Sequence, residues 1–147
     1  MKSKGFTFME LAAVLFVITL FFTLAIPVVR ERGGAATEAL KTASVLRGLS
    51  ESAIARKKSY SITFDMDTKS ARWEGPEGKK RMELKGLGSV TMPSTGEVRQ
   101  GALTVFFDPA GPKEDLTVRI SGGKGKSFRV VMSGLGGRVK VHEERKG

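Results

Sequence analysis

Residues 4–29 read KGFTFMELAAVLFVITLFFTLAIPVV. From Leu11 to Val29 this is a run of 19 residues without a charge. As a helix it would extend about 28 Å at ~1.5 Å per residue, close to the hydrocarbon thickness of a bilayer. One acid, Glu10, stands at its amino-terminal edge, and Lys2 and Lys4 lie just before it. A removable secretory signal has an apolar core of roughly 7–15 residues that ends in a small-x-small site. This run is longer, and its end, TLAIPVV, has no such site. A plain signal anchor suits the two lysines, which by the positive-inside bias hold the amino terminus in the cytoplasm and send the rest of the chain across. Neither reading gives Glu10 a purpose. An acid in a spanning helix is costly and marks a functional residue whose partner must be named. The bland alternative is a carboxylate that snorkels to the headgroups.

Outward from this stretch, the chain has 147 residues, enough for the apolar segment and one small domain of about 110 residues. There are 25 Lys and Arg against 15 Asp and Glu, a net charge of +10. That balance fits nucleic acid, an anionic membrane, or simply a basic solvated surface. With no cysteine there is no disulfide, no thiolate metal site and no cysteine nucleophile. Pro27 removes a helical hydrogen bond and is expected to kink or locally melt the helix, with Gly33 and Gly34 as a second weak point. Beyond them Leu40, Ala43, Leu46, Leu49 and Ala53 recur at spacings of three and four. This predicts an amphipathic helix from Ala35 to about Lys57, with Lys41, Arg47, Glu51 and Arg56 towards solvent. The remainder reads as six to eight short strands. SYSITFD, SARWEG, KKRMELKG, ALTVFFD, LTVRI, FRVVM and RVKVHE alternate or cluster apolar residues between turn signals.

Several patterns invite chemistry and fail on spacing. The DMDTK segment at 65–69 begins like a calcium loop, but Ser70 stands where the loop needs glycine and Pro76 where it needs the closing glutamate. The GKS segment at 125–127 lacks the glycine of a phosphate-binding loop, since Ile120 occupies that place. His142 is the one histidine; it makes no metal set and has no nucleophile-elbow motif to serve. Trp73 and Tyr60 read as core or rim aromatics. No catalytic set, metal site or cofactor is expected.

The stretch KGFTFME resembles the class III signal of type IV pilins and type II secretion pseudopilins. The resemblance implies cleavage by a prepilin peptidase between Gly5 and Phe6, and N-methylation of Phe6. Glu10 then becomes the fifth residue of the mature chain and Pro27 the twenty-second, where the family keeps its glutamate and commonly a proline. Cleavage leaves an amine in an apolar setting, and Glu10 can neutralise it on the same or a neighbouring subunit. The Phe6–Glu10 pair would also fix the axial step between packed helices. The stretch VLRGLSESAIARKKSYSITF, the turn VFFDPAG and the ending SGLGGRVKV are similar to the minor pseudopilins called GspH and to FimT/FimU minor pilins. No acidic calcium loop of the major pseudopilins is visible.

The implied protein is α+β and non-enzymatic: a long amino-terminal helix packed on an antiparallel β-sheet domain, pilin-like. Its expected parts are a leader at 1–5, a transmembrane and assembly helix at 6–29, the amphipathic half-helix at 30–57 and a periplasmic β-rich domain at 58–147. The expected function is a minor pseudopilin of a type II secretion system at a pseudopilus tip. It would be single-pass in the inner membrane, with its partners the peptidase and other pilin-like subunits of a hetero-oligomeric filament. A second reading is a FimT/FimU-like minor pilin that binds DNA for uptake or primes pilus assembly. DNA-binding FimT-type pilins carry a G-R-x-R element; here Arg138 is matched, but Lys140 replaces the second arginine, keeping the charge and losing the bidentate fork.

Overall fold

The computed structural model describes Gly5 and residues 7–145, without the side chains of residues 22–33. It contains one helix, α1 (Phe8–Arg56), followed by ten strands: β1 (Tyr60–Asp65), β2 (Ser70–Gly75), β3 (Gly78–Glu83), β4 (Leu87–Met92), β5 (Gly96–Val98), β6 (Ala102–Asp108), β7 (Gly111–Pro112), β8 (Leu116–Ser121), β9 (Lys126–Met132) and β10 (Val139–Arg145). The chain divides into two compact units, Met1–Gly33 and Gly34–Gly147.

In the first unit every described side chain of α1 from Phe8 to Phe21 is exposed. Among the described residues no helix is long and apolar enough to cross a membrane. The expected span at 6–29 takes in Phe6 and residues 22–29; Phe6 and the side chains of residues 22–29, Pro27 among them, lie outside the described residues, as do residues 1–4.

The second unit is α+β, a helix packed on antiparallel strands, as expected. The strands form two sheets, in the orders β3-β2-β1-β6-β7 and β10-β9-β8-β4-β5. The expected six to eight strands become ten. The notable omission is β4, a core strand: a register irregularity between Leu87 and Ser89, beside Gly86 and Gly88, breaks its period-two alternation. The other two, β5 and β7, have three and two residues and no pattern to read. The chain passes to the second sheet after β3, returns after β5, and leaves again after β7.

One buried cluster joins the helix to the inner faces of both sheets, with Leu46, Ile62, Phe64, Phe107, Leu116, Ile120 and Met132 among its fully buried side chains. The buried helical stripe is Ala39, Thr42, Ala43, Leu46, Leu49, Ser50 and Ala53. Leu40, expected on that stripe, is 63% exposed. At about 100° of rotation per residue it sits well round the helix from the line through Ala39, Ala43 and Leu46. A small residue suits the start of this face: a Cβ at Gly122 would lie 3.0 Å from the Ala35 side chain.

The helix ends by rule. Lys57 takes a left-handed φ of 53°, and the Lys58 amide donates to the Ala53 carbonyl at 3.3 Å, a Schellman closure. The GKS decoy straddles the β8–β9 turn: Lys124 and Gly125 take positive φ in the turn, and Lys126 and Ser127 already belong to β9. The DMDTK decoy is the β1–β2 turn, in which Asp65 Oδ1 accepts from the Asp67 and Thr68 amides, each at 3.0 Å.

Candidate functional site

The residues expected to matter gather at the start of α1. Thr7 is not helical and Phe8 is the first helical residue, so Thr7 caps the helix and Glu10 is its third residue. The Thr7 amide donates to Glu10 Oε2 at 3.0 Å, and the Glu10 amide donates to Thr7 Oγ1 at 3.3 Å. This is a capping box: each side chain satisfies the other residue's free amide. The first turn also benefits from a negative charge against the positive end of the helix dipole. The sequence signal was present as T-F-M-E, a Thr and a Glu three apart before an apolar run, and passed unread because the pattern was taken up by Glu10 alone.

The consequence is positional. Glu10 Oε2 is anchored on the amide of Thr7, and Phe6 is the next residue towards the amino terminus. Gly5 and Thr7, which flank Phe6, are both non-helical and exposed, and nothing lies within 4 Å of where a Gly5 Cβ would be. Phe6 itself lies outside the described residues.

Further along, α1 carries polar ties to the strands and their turns within the second unit, among them an ion pair between Arg56 and Glu77 in the β2–β3 turn. Glu38 accepts from the Lys85 amide at 3.0 Å and the Gly86 amide at 2.9 Å, holding the β3–β4 turn to the helix. Arg47 Nη2 donates to the Val139 carbonyl at 3.2 Å, holding the start of β10.

Arg138 and Lys140 are exposed, and among the described residues neither enters an ion pair. Arg138 ends the turn between β9 and β10; its carbonyl accepts from Ser133. Lys140 sits opposite Val131 on the outer face of the second sheet. The turn is set against the helix at Gly137, where a Cβ would come within 2.6 Å of Ser50 Oγ. His142 lies on β10 opposite Arg129, within the expected RVKVHE strand. Its neighbours form an ion network in which Glu144 bridges Arg119 (3.8 Å) and Arg129 (2.9 Å), and Arg119 reaches Glu97 at 3.9 Å. Glu97 is held below the usual carboxylate range chiefly by its bond from Arg99, then by Ser89. No three His, Cys, Asp or Glu among the described residues converge to hold a metal ion.

No protein-family model matches the sequence, and no curated protein matches it either. The structure is similar to the crystal structure of the type IV minor pilin FimU of Pseudomonas aeruginosa strain PAO1, with a TM-score of 0.55 and 15% identity over 77% of this chain and 91% of that chain. The fold of this chain is therefore pilin-like.

Proposed function

We propose that the chain is a minor pilin-like subunit that is cut between Gly5 and Phe6, methylated on Phe6, and built into a filament through α1. In the finer form of this reading it is a GspH-like pseudopilin at the tip of a type II secretion pseudopilus. It would sit in the inner membrane before assembly, with its strand-rich unit in the periplasm. The observation that carries the proposal is the capping box on a chain of pilin-like fold: Glu10 Oε2 is held on the amide next to Phe6. Cleavage would place a new amine one residue from a carboxylate that the helix already holds at its end. The apolar surface from Phe8 to Phe21 supports the same reading, because a contiguous exposed apolar stretch needs lipid or neighbouring helices to cover it.

Mass analysis of the mature amino terminus, with and without prepilin peptidase, tests the proposal. Loss of residues 1–5 with a methylated Phe6 is the expected outcome; an unprocessed Met1 in both samples overturns it. The second reading, a minor pilin of a type IV pilus, draws support from the FimU likeness. Co-purification with secretion-type or pilus-type neighbours separates the two.

A further inference from the structure

The β2–β3 hairpin leaves an open edge that assembly through α1 does not use. β3 is the outermost strand of the first sheet and is paired on one side only. The Leu84 amide donates to the Lys69 carbonyl at 2.8 Å, which sets the alternation of the ladder between β2 and β3. Met82 and Lys80 therefore turn their backbone groups towards β2, and Lys79, Arg81 and Glu83 turn theirs to the open side. Among the described residues no strand meets them there. A row of free amides and carbonyls at a sheet edge is a template for an added strand.

The side chains say which strand. Lys79, Lys80 and Arg81 follow one another along β3, all exposed. Ile62 and Phe64 of β1 are buried, so through the register Lys80 and Met82 share the inner face, and Lys79 and Arg81 stand on the outer one. Arg81 is directly opposite Arg72, a like-charge pair that costs stability in an antiparallel ladder. Among the described residues Arg72, Lys80 and Arg81 enter no ion pair, while Lys79 reaches Glu74 at 3.7 Å. Cations at a sheet edge guard it against indiscriminate pairing. The same guard admits a strand of opposite charge.

Behind the edge, a groove of about 400 Å³ opens between the hairpin and α1. On the helix side Ser44, Gly48 and Ser52 recur every four residues, and a Cβ at Gly48 would meet nothing within 4 Å. On the hairpin side stand Trp73 and Lys80, which are opposite each other in the ladder. Tyr60 also lines the groove; it is 6% exposed, and its ring leans from β1 over Gly75 of β2. Its buried hydroxyl has no hydrogen-bond partner, so the groove is short of one polar contact.

We infer that β3 takes up an extended acidic segment of a partner protein, which pairs antiparallel to it as a sixth strand of the first sheet. Carboxylates at alternate positions of that segment stand opposite Lys79 and Arg81 on the outer face. The side chain between them turns inward opposite Lys80, enters the groove beside Gly48, and brings a polar end to the Tyr60 hydroxyl. Backbone pairing, charge and the unfilled groove all ask for the same occupant, a peptide strand. This goes beyond the assembly reading and does not rest on it, since peptidase processing and peptide capture are measured separately.

The test is fluorescence anisotropy of a labelled peptide, acetyl-Thr-Val-Glu-Gln-Glu-Val-Thr-amide, with the full-length chain in a non-ionic detergent. The wild type binds it, and the emission of Trp73, the one tryptophan, shifts in step. N-methylation of the two glutamates, whose amides face β3, abolishes binding; N-methylation of the two valines, whose amides face away, spares it. Lys79→Gln with Arg81→Gln weakens binding about 2- to 30-fold, the range for two exposed ion pairs. Tyr60→Phe weakens it about 2- to 15-fold, the worth of one hydrogen bond, and has no effect on a peptide with leucine in place of glutamine. Gly48→Phe, which fills the groove, weakens both peptides. Lys140→Gln, on the edge strand of the other sheet, changes nothing. A near-ultraviolet circular dichroism spectrum like the wild type's confirms that each variant is folded. No binding by the wild type, or equal loss on methylating glutamates and valines, overturns the inference, the latter by reducing the attraction to bulk charge. Binding that is lost with Lys140→Gln, or that is indifferent to Tyr60→Phe and Gly48→Phe, also overturns it.

Discussion

Glu10 has two duties that separate by substitution. As the third helical residue it closes the cap with Thr7; as a charge it is the proposed counter-ion of a new amine. Glutamine serves a capping box as glutamate does but carries no charge. Glu10→Gln should therefore leave the helicity of the detergent-solubilised chain intact and abolish incorporation into filaments. Thr7→Ala should do the reverse, weakening the helix start by about 1 kcal/mol while assembly persists. Circular dichroism and a filament pull-down read the two quantities, and parallel loss in both variants would show that the charge has no separate role. Asp65 gives a second prediction at this scale. The Thr68 amide is the first cause that holds its carboxyl below the usual range. A depressed acid contributes stability above its unfolded value and loses it as pH falls through the folded one. The amide signals of Asp67 and Thr68 should thus hold steady on acidification to about pH 4 and shift only below it. Movement of both well above pH 4 would contradict the turn geometry.

Elements differ in how openly the sequence announces them. The helix after Gly34 was legible from its spacing, yet Leu40 was misplaced, because a stripe led by Ala39 and Thr42 looks polar and small on paper. The strands with clean alternation were legible. What hid β4 was its bulge, and what hid the partition into two sheets was pairing at long range, which no local pattern carries. At the amino terminus, the cap is written in the sequence as T-F-M-E, a Thr and a Glu three apart. These differences have energetic counterparts. Leu46→Ala should cost about 2–5 kcal/mol in denaturant unfolding, since its side chain is fully buried; Leu40→Ala should fall within about 0.5 kcal/mol of wild type. Equal costs would refute the assigned stripe. Lys57→Gly should stabilise by about 0.5–1 kcal/mol, because glycine takes the left-handed helix end without a Cβ penalty. Gly86→Ala should destabilise by about 1–3 kcal/mol, since its Cβ would sit 2.4 Å from the Ser121 carbonyl oxygen.

For the molecule as a whole, early and late chain are tied directly: Arg47 reaches the carbonyl of Val139 across 92 positions. Sheets that exchange strands three times add further pairings between remote segments. Such topologies fold slowly, because distant stretches must meet before their contacts are rewarded. If the strand-rich unit is delivered through a membrane amino end first, the helix waits with its inner stripe incompletely covered until the last strands arrive. Throughout that wait the nascent protein is vulnerable to proteases and to mispairing, and a chaperone that shields the stripe would have a physical job to do.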